Sequence, residues 1–274
     1  MLWKRFATAG VLIPLIVASI LTSGGRPFGW PFLLFCGVAA ALSAHEWFRM
    51  FFPGTGDRAS GVALAVLVYL SAAMLPGSFG VSALLVAVLL SAFHVLPGPS
   101  ESAEKARSAA MLALGAVYVG GLLAMYPRTL HLPHGEHWVL AGVISVSMGD
   151  TFAYFTGKGI GRRKLAPQVS PNKTVEGAVG GLVGSVACTV LYAHFFLPAV
   201  PAWYAAAAGA AMGVFGQAGD LFESLLKRAA GVKDSGTILP GHGGILDRGD
   251  GIMGAGPVLY LFASLAPLVP GVGP

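Results

Sequence analysis

Most of the chemistry this chain can offer lies between Ser224 and Asp250, SLLKRAAGVKDSGTILPGHGGILDRGD. Four bases (Lys227, Arg228, Lys233, Arg248), three acids (Asp234, Asp247, Asp250) and His242 share that segment. Three carboxylates can hold a divalent metal, and four cations can hold phosphates. Asp247-x-x-Asp250 presents two carboxylates to a hard cation, and Mg2+ takes a few carboxylates together with phosphate oxygens and water. Residues 240–251, PGHGGILDRGDG, read as a loop. Glycines such as Gly243 and Gly244 let its backbone approach a ligand and offer N–H groups to phosphate oxygens. The segment points to chemistry on a phosphorylated substrate.

Two upstream stretches add to it. In GQAGDLFESLLKR, Asp220, Ser224 and Lys227 follow at i, i+4 and i+7 and share one helical face, with Glu223 beside the stripe. As an isolated pair, Asp220 and Lys227 also read as a structural ion pair, cheaper than either ion alone. In GDTFAYFTGKGIGRRKLAPQVSPNKTVEGAVGG, Asp150 sits inside an apolar run, where an ionisable group is a functional candidate. Ser170 or Thr174 can cap the helix that follows. Its free N–H groups, with Lys173 beside them, make a natural phosphate site. Glu176 falls in the first turn, where the macrodipole favours a carboxylate, so capping is its plain reading. Lys158, Arg162, Arg163 and Lys164 fit anionic lipid headgroups and a substrate equally well. The pairs Gly177/Gly181, Gly180/Gly184 and Gly209/Gly213 signify close helix packing and carry no chemistry.

The elements that must position these groups are membrane helices. Of 274 residues, 55% are hydrophobic and 11% charged, with mean hydropathy +0.73; a soluble domain carries about 25% charged residues. The fold class expected is therefore all-α, a polytopic helical bundle forming one integral membrane domain. About nine apolar runs approach the roughly 20 residues that a crossing needs: 6–25, 28–50, 60–76, 80–97, 107–126, 137–156, 175–198, 202–226 and 252–270. Cys36 and Cys188 sit in such runs and read as buried thiols. With a cytoplasmic N-terminus, 15 of the 17 basic residues fall on the inner side, leaving Arg26 and Arg128 outside. Residues 1–126 then read as scaffold and 137–274 as the catalytic portion. His131, His134 and His137 read as an interfacial outer loop, and His45 and Glu46 as interface anchors.

Segment 224–250 resembles the bacterial phosphatidate cytidylyltransferase (CDP-diacylglycerol synthase) family. It matches the pattern S-x-x-K-R-x(4)-K-D-x(5)-P-x-H-G-G-x-x-D-R-x-D through Ser224, Lys227, Arg228, Lys233, Asp234, Pro240, His242, Gly243, Gly244, Asp247, Arg248 and Asp250. The earlier stretch is similar to D-T-x-A-Y-x-x-G and S-P-K-K-T-x-E-G through Asp150, Thr151, Ala153, Tyr154, Gly157, Ser170, Pro171, Lys173, Thr174, Glu176 and Gly177. Asn172 stands where a lysine is usual, and Gly249 where an apolar residue is usual.

The resemblance implies that CTP and phosphatidic acid give CDP-diacylglycerol and pyrophosphate at the cytoplasmic face of a bacterial inner membrane. It implies Asp220 and Asp247 as principal Mg2+ ligands, with Asp250 and Asp150 as extra ligands and room for a second cation. It gives Lys227, Arg228, Lys233 and Arg248 to phosphates, and Lys173 and Thr174 to CTP. Ser170, Glu176, Ser224, His242, Gly243 and Gly244 fall to substrate binding. The lipid's phosphate monoester is already ionised at neutral pH, so His242 need not be a base; hydrogen bonding to the loop or to a phosphate suits it equally. Membrane lipids are the surroundings, a homodimer is compatible, and no nucleic acid is called for. Two rivals remain: a CTP-dependent lipid kinase, and a transporter, which predicts mid-bilayer charges in an internal repeat.

Overall fold

The computed structural model describes residues 2–23, 29–75, 77–97, 100–238 and 243–269. Pro240 and His242 therefore lie outside the described residues. The helices are α1 (Leu2–Leu21), α2 (Trp30–Phe51), α3 (Thr55–Met74), α4 (Gly77–Val95), α5 (Ser102–Gly115), α6 (Leu122–Leu130), α7 (Gly135–Ile160), α8 (Val175–Phe196), α9 (Ala202–Ala229) and α10 (Leu246–Leu265). A π-helical turn, Ala116–Gly121, joins α5 to α6 in one continuous rod. Among the described residues, six segments are long and apolar enough to cross a membrane: α2, α3, Ser102–Leu130, α7, α8 and Leu246–Leu268. Val179, Val183 and Leu191 of α8, and Leu85, Leu89 and Phe93 of the shorter apolar helix α4, stay exposed, as lipid-facing side chains do. This is an all-α membrane protein.

The segment after α7 forms an antiparallel hairpin, β1 (Lys164–Ala166) and β2 (Ser170–Thr174), with Lys164 opposite Thr174 and Ala166 opposite Ser170. Its turn closes with the Val169 N–H on the Ala166 carbonyl at 3.1 Å. The glycine-rich 240–251 segment is loop only in part. Helix α10 begins at Leu246, which puts Asp247, Arg248 and Asp250 on its first turns rather than in a loop. An aspartate there faces the positive end of the helix dipole.

The chain divides into two compact units. The first holds Met1–Arg128 with Asp234–Leu246. Its core gathers Trp47, Phe48, Tyr69, Leu112 and Tyr126. Polar tips in that core are satisfied: Trp47 Nε1 donates to the Met111 carbonyl (3.4 Å) and the Tyr69 hydroxyl to the Leu33 carbonyl (2.7 Å). Cys36 is buried here.

The second unit holds Thr129–Lys233 with Asp247–Pro274. Here small residues let backbones come together, as in lipid, where packing rather than water drives association. Ser145 of α7 and Ser185 of α8 each donate to the other's carbonyl, at 3.5 and 2.9 Å. Gly184 lies under Phe152, and Gly209 against Thr189. Cys188 is half-buried rather than fully buried. Helices α9 and α10 cross at Gly219 and Gly254, where a Cβ on Gly254 would fall on the Phe215 carbonyl. Gly254→Val should therefore lower the thermal unfolding midpoint of the detergent-solubilised protein, by an overpacking cost of about 1–3 kcal/mol. An unchanged midpoint would mean the crossing is looser than this.

Candidate active site

The functional side chains of the second unit come from four elements that converge. The last turns of α9 present Asp220, Glu223, Ser224 and Lys227; α7 brings Asp150; β2 brings Lys173; and the first turns of α10 bring Asp247, Arg248 and Asp250. Lys227 is the hub. Its Nζ donates to Glu223 Oε2 at 2.8 Å and to Asp247 Oδ1 at 2.7 Å. All three side chains are shielded: Lys227 is 12% exposed, Asp247 7% and Glu223 0%. The i,i+4 spacing on α9 supplies the first contact, and the early start of α10 supplies the second.

A second pair lies beside it. Lys173 and Asp220 form an ion pair, and the Ser224 hydroxyl donates to Asp220 Oδ1 at 3.4 Å. Asp150 lies in the field of Asp220, Lys173 and Arg248. Asp250 accepts the Gly251 N–H at 2.7 Å and lies in the field of Glu223, Asp220 and Asp150. Five carboxylates (Asp150, Asp220, Glu223, Asp247, Asp250) thus gather with three cations (Lys173, Lys227, Arg248).

Beside the Lys173–Asp220 pair opens a cleft of about 420 Å³ lined by Asp150, Tyr154, Lys158, Asn172, Lys173, Gln217 and Asp220. That volume lies within the range of small-molecule sites. The Gln217 amide donates to the Ala178 carbonyl at 3.1 Å, which sets it against α8. Lys158 stands 5.8 Å from the centre of the Tyr154 ring.

Several residues expected to meet substrate are turned to the protein's own backbone. Thr174 is the N-cap of α8: its hydroxyl accepts the Gly177 N–H at 3.1 Å, and Gly157, Gly161 and Gly177 pack around it. Glu176, in the first turn of α8, turns its carboxylate to backbone N–H groups, its own and those of Arg162 (3.0 Å) and Arg163 (3.1 Å), which pins the exit from α7. Arg228 donates to the carbonyls of Val169 (3.3 Å) and Val232 (3.2 Å), bracing the hairpin turn. Ser170 pairs in the hairpin opposite Ala166. Lys233 is exposed at the end of the unit. Gly243 has φ +83°, a conformation that requires glycine, and Gly244 is buried; both belong to the first unit. The residue most clearly missed is Glu223, whose four-residue lead over Lys227 was its only signal.

Hard oxygen donors in excess over cations suit Mg2+. Among the described residues no three carboxylate, imidazole or thiolate groups already close around one point. Mg2+ does not need such a cage, because it binds through one or two carboxylates plus substrate phosphates. The donor set fits that mode.

The sequence model described as "Cytidylyltransferase family" matches residues 3–266, and the chain belongs to that family. A phosphatidate cytidylyltransferase from Staphylococcus haemolyticus (strain JCSC1435) is 34% identical over 266 residues, covering 92% of this chain and 95% of the relative. One from Bacillus subtilis (strain 168) is 41% identical over 155 residues, covering 56% of this chain and 58% of the relative. One from Staphylococcus saprophyticus is 43% identical over 154 residues, with the same coverage.

Removing the hub should strand two buried carboxylates. Lys227→Met should destabilise the protein by about 3–5 kcal/mol, the cost of breaking a buried pair from one side. Adding Glu223→Gln should recover part of that loss without restoring turnover. Thermal unfolding of the single and double variants checks this; equal unfolding of Lys227→Met and wild type would remove Lys227 from its central place.

Proposed function

We propose that this chain transfers CMP from CTP to phosphatidic acid, giving CDP-diacylglycerol and pyrophosphate for phospholipid synthesis. What carries the reading is one juxtaposition in a family-matched chain: an open cleft with Lys158 and Lys173 on its wall, beside carboxylates that outnumber their cations. Relatives named phosphatidate cytidylyltransferase support it.

A phosphate oxygen of the lipid attacks the α-phosphorus of CTP. A new P–O bond forms there, the bond to the β-phosphate oxygen breaks, and pyrophosphate leaves with that electron pair. Two polyanions must meet, so the residues act mainly by neutralising and positioning charge. Lys173 and Lys158 take the triphosphate, and Lys173 can exchange Asp220 for a phosphate oxygen. Exposed Arg248 and Lys233 receive phosphates. Lys227, held between Glu223 and Asp247, positions Asp247. Asp220 and Asp247, with Asp150 and Asp250, would hold Mg2+, which when bound neutralises the phosphates and stabilises charge developing on the leaving oxygen. The lipid phosphate arrives already ionised, so no strong base is required.

Orientation and division of labour belong to the same proposal. The N-terminus is cytoplasmic, nine segments cross the bacterial inner membrane, the site faces the cytoplasm, and residues 1–126 act as scaffold. The 15-to-2 asymmetry of basic residues supports this. Reporter fusions after Pro274 and within residues 157–174 should report opposite sides; same-side reports would refute nine crossings.

Product analysis tests the reaction itself. With Mg2+ and phosphatidate, CTP labelled in its α-phosphate should label the lipid, whereas γ-label should leave in pyrophosphate. Label transferred to lipid from the γ-position would mark a lipid kinase instead. Asp247→Asn should lower the rate about a hundredfold or more while the protein stays folded.

A further inference from the structure

Glu46 lies on α2, far in sequence from every residue of the candidate site, and is only 1% exposed rather than an interface anchor. A buried carboxylate in an apolar helix is costly unless hydrogen bonds compensate it. Its partners within the first unit are specific. Oε2 accepts the Ser235 hydroxyl at 3.2 Å and the Leu246 N–H at 2.9 Å. Two glycines complete the socket. A Cβ on Gly236 would fall on the Glu46 carboxylate, 2.6 Å from its Cδ, and a Cβ on Gly244 would strike the carboxylate and the Ser235 hydroxyl. The second glycine of the HGG motif is thus needed for a reason the sequence does not show: it leaves room for Glu46.

Ser235 and Leu246 are the two feet of the segment that carries that motif. Lys233 stands two residues before one foot, and Asp247 directly follows the other. We propose that Glu46 is a positioning residue for CMP transfer: one buried carboxylate holds Ser235 and Leu246 together and so sets where α10, the helix whose second residue is Asp247, begins. The inference rests on the transferase reading above. The Leu246 N–H is also one of the free donors at the start of α10, which a carboxylate suits.

The test uses the full chain in detergent, comparing Glu46→Gln, Glu46→Ala and the pair Gly236→Ala with and without Glu46→Asp. Glu46→Gln and Glu46→Ala should lower kcat about tenfold or more, as misplacement of catalytic groups does. Amide exchange at Leu246 should rise about tenfold as the tie opens. Gly236→Ala should displace the carboxylate and lose activity, and the shorter Glu46→Asp should restore part of it, which places the loss at the contact between these two residues. If Glu46→Ala fails to fold, Glu46→Gln and the Gly236 pair decide. Near-wild-type kcat in Glu46→Gln, or unchanged exchange at Leu246, would overturn the inference. If the wild type itself forms no CDP-lipid, the transferase reading fails, while the exchange measurement still decides whether the tie exists.

Discussion

Everything in the second unit is arranged around a charge problem. Five carboxylates converge where the helices meet, and the three cations among them do not balance them. Lys227 alone answers to two acids, and one of them, Glu223, is fully buried. Such a cluster is poor design for stability, since an apolar replacement would cost less. It makes sense where a cation and phosphates are to be received together. Carboxylates supply the cation's ligands, lysines supply the phosphates' partners, and each holds the other until substrate arrives.

The cluster can exist because the helices around it approach so closely. Gly219 and Gly254 bring α9 against α10, and the Ser145–Ser185 exchange locks α7 to α8. These contacts hold Asp150, Asp220 and the start of α10 on rigid elements. The hairpin is then secured to that frame by polar side chains that bond backbone rather than ligand: Arg228 on the Val169 carbonyl, Thr174 on Gly177, and Glu176 on the N–H groups of Arg162 and Arg163. Lys173 owes its place beside Asp220 to this bracing.

Much of this was legible in the sequence, because two of its signals are local. Apolar length marks a membrane helix, and i,i+4 spacing marks a shared face, so the run of helices and the gathering of Asp220, Ser224 and Lys227 on one face of α9 could be read directly. What escaped depends on contacts distant in sequence. The start of α10 at Leu246 was hidden by glycines that read as loop. The hairpin was hidden by a stretch too short and too charged to show alternation. The cap at Thr174 and the backbone bonds of Glu176 could be read from their place at a helix start, but the hold of Arg228 on the Val169 carbonyl could not, because residue type does not disclose whether a side chain has already been claimed by backbone. Glu46 lies nearly 200 residues from its partners, and only the fold brings it to Ser235 and Leu246.

The central claim is that the excess of carboxylates takes up a divalent cation together with nucleotide phosphates. Equilibrium binding of CTP, measured over a Mg2+ series in wild type and in Asp220→Asn, tests it most directly. The account predicts that Mg2+ tightens CTP binding to the wild type and that Asp220→Asn loses most of this dependence while still binding CTP weakly through Lys173 and Lys158. CTP bound equally well by the wild type in Mg2+ and in a chelator would contradict it.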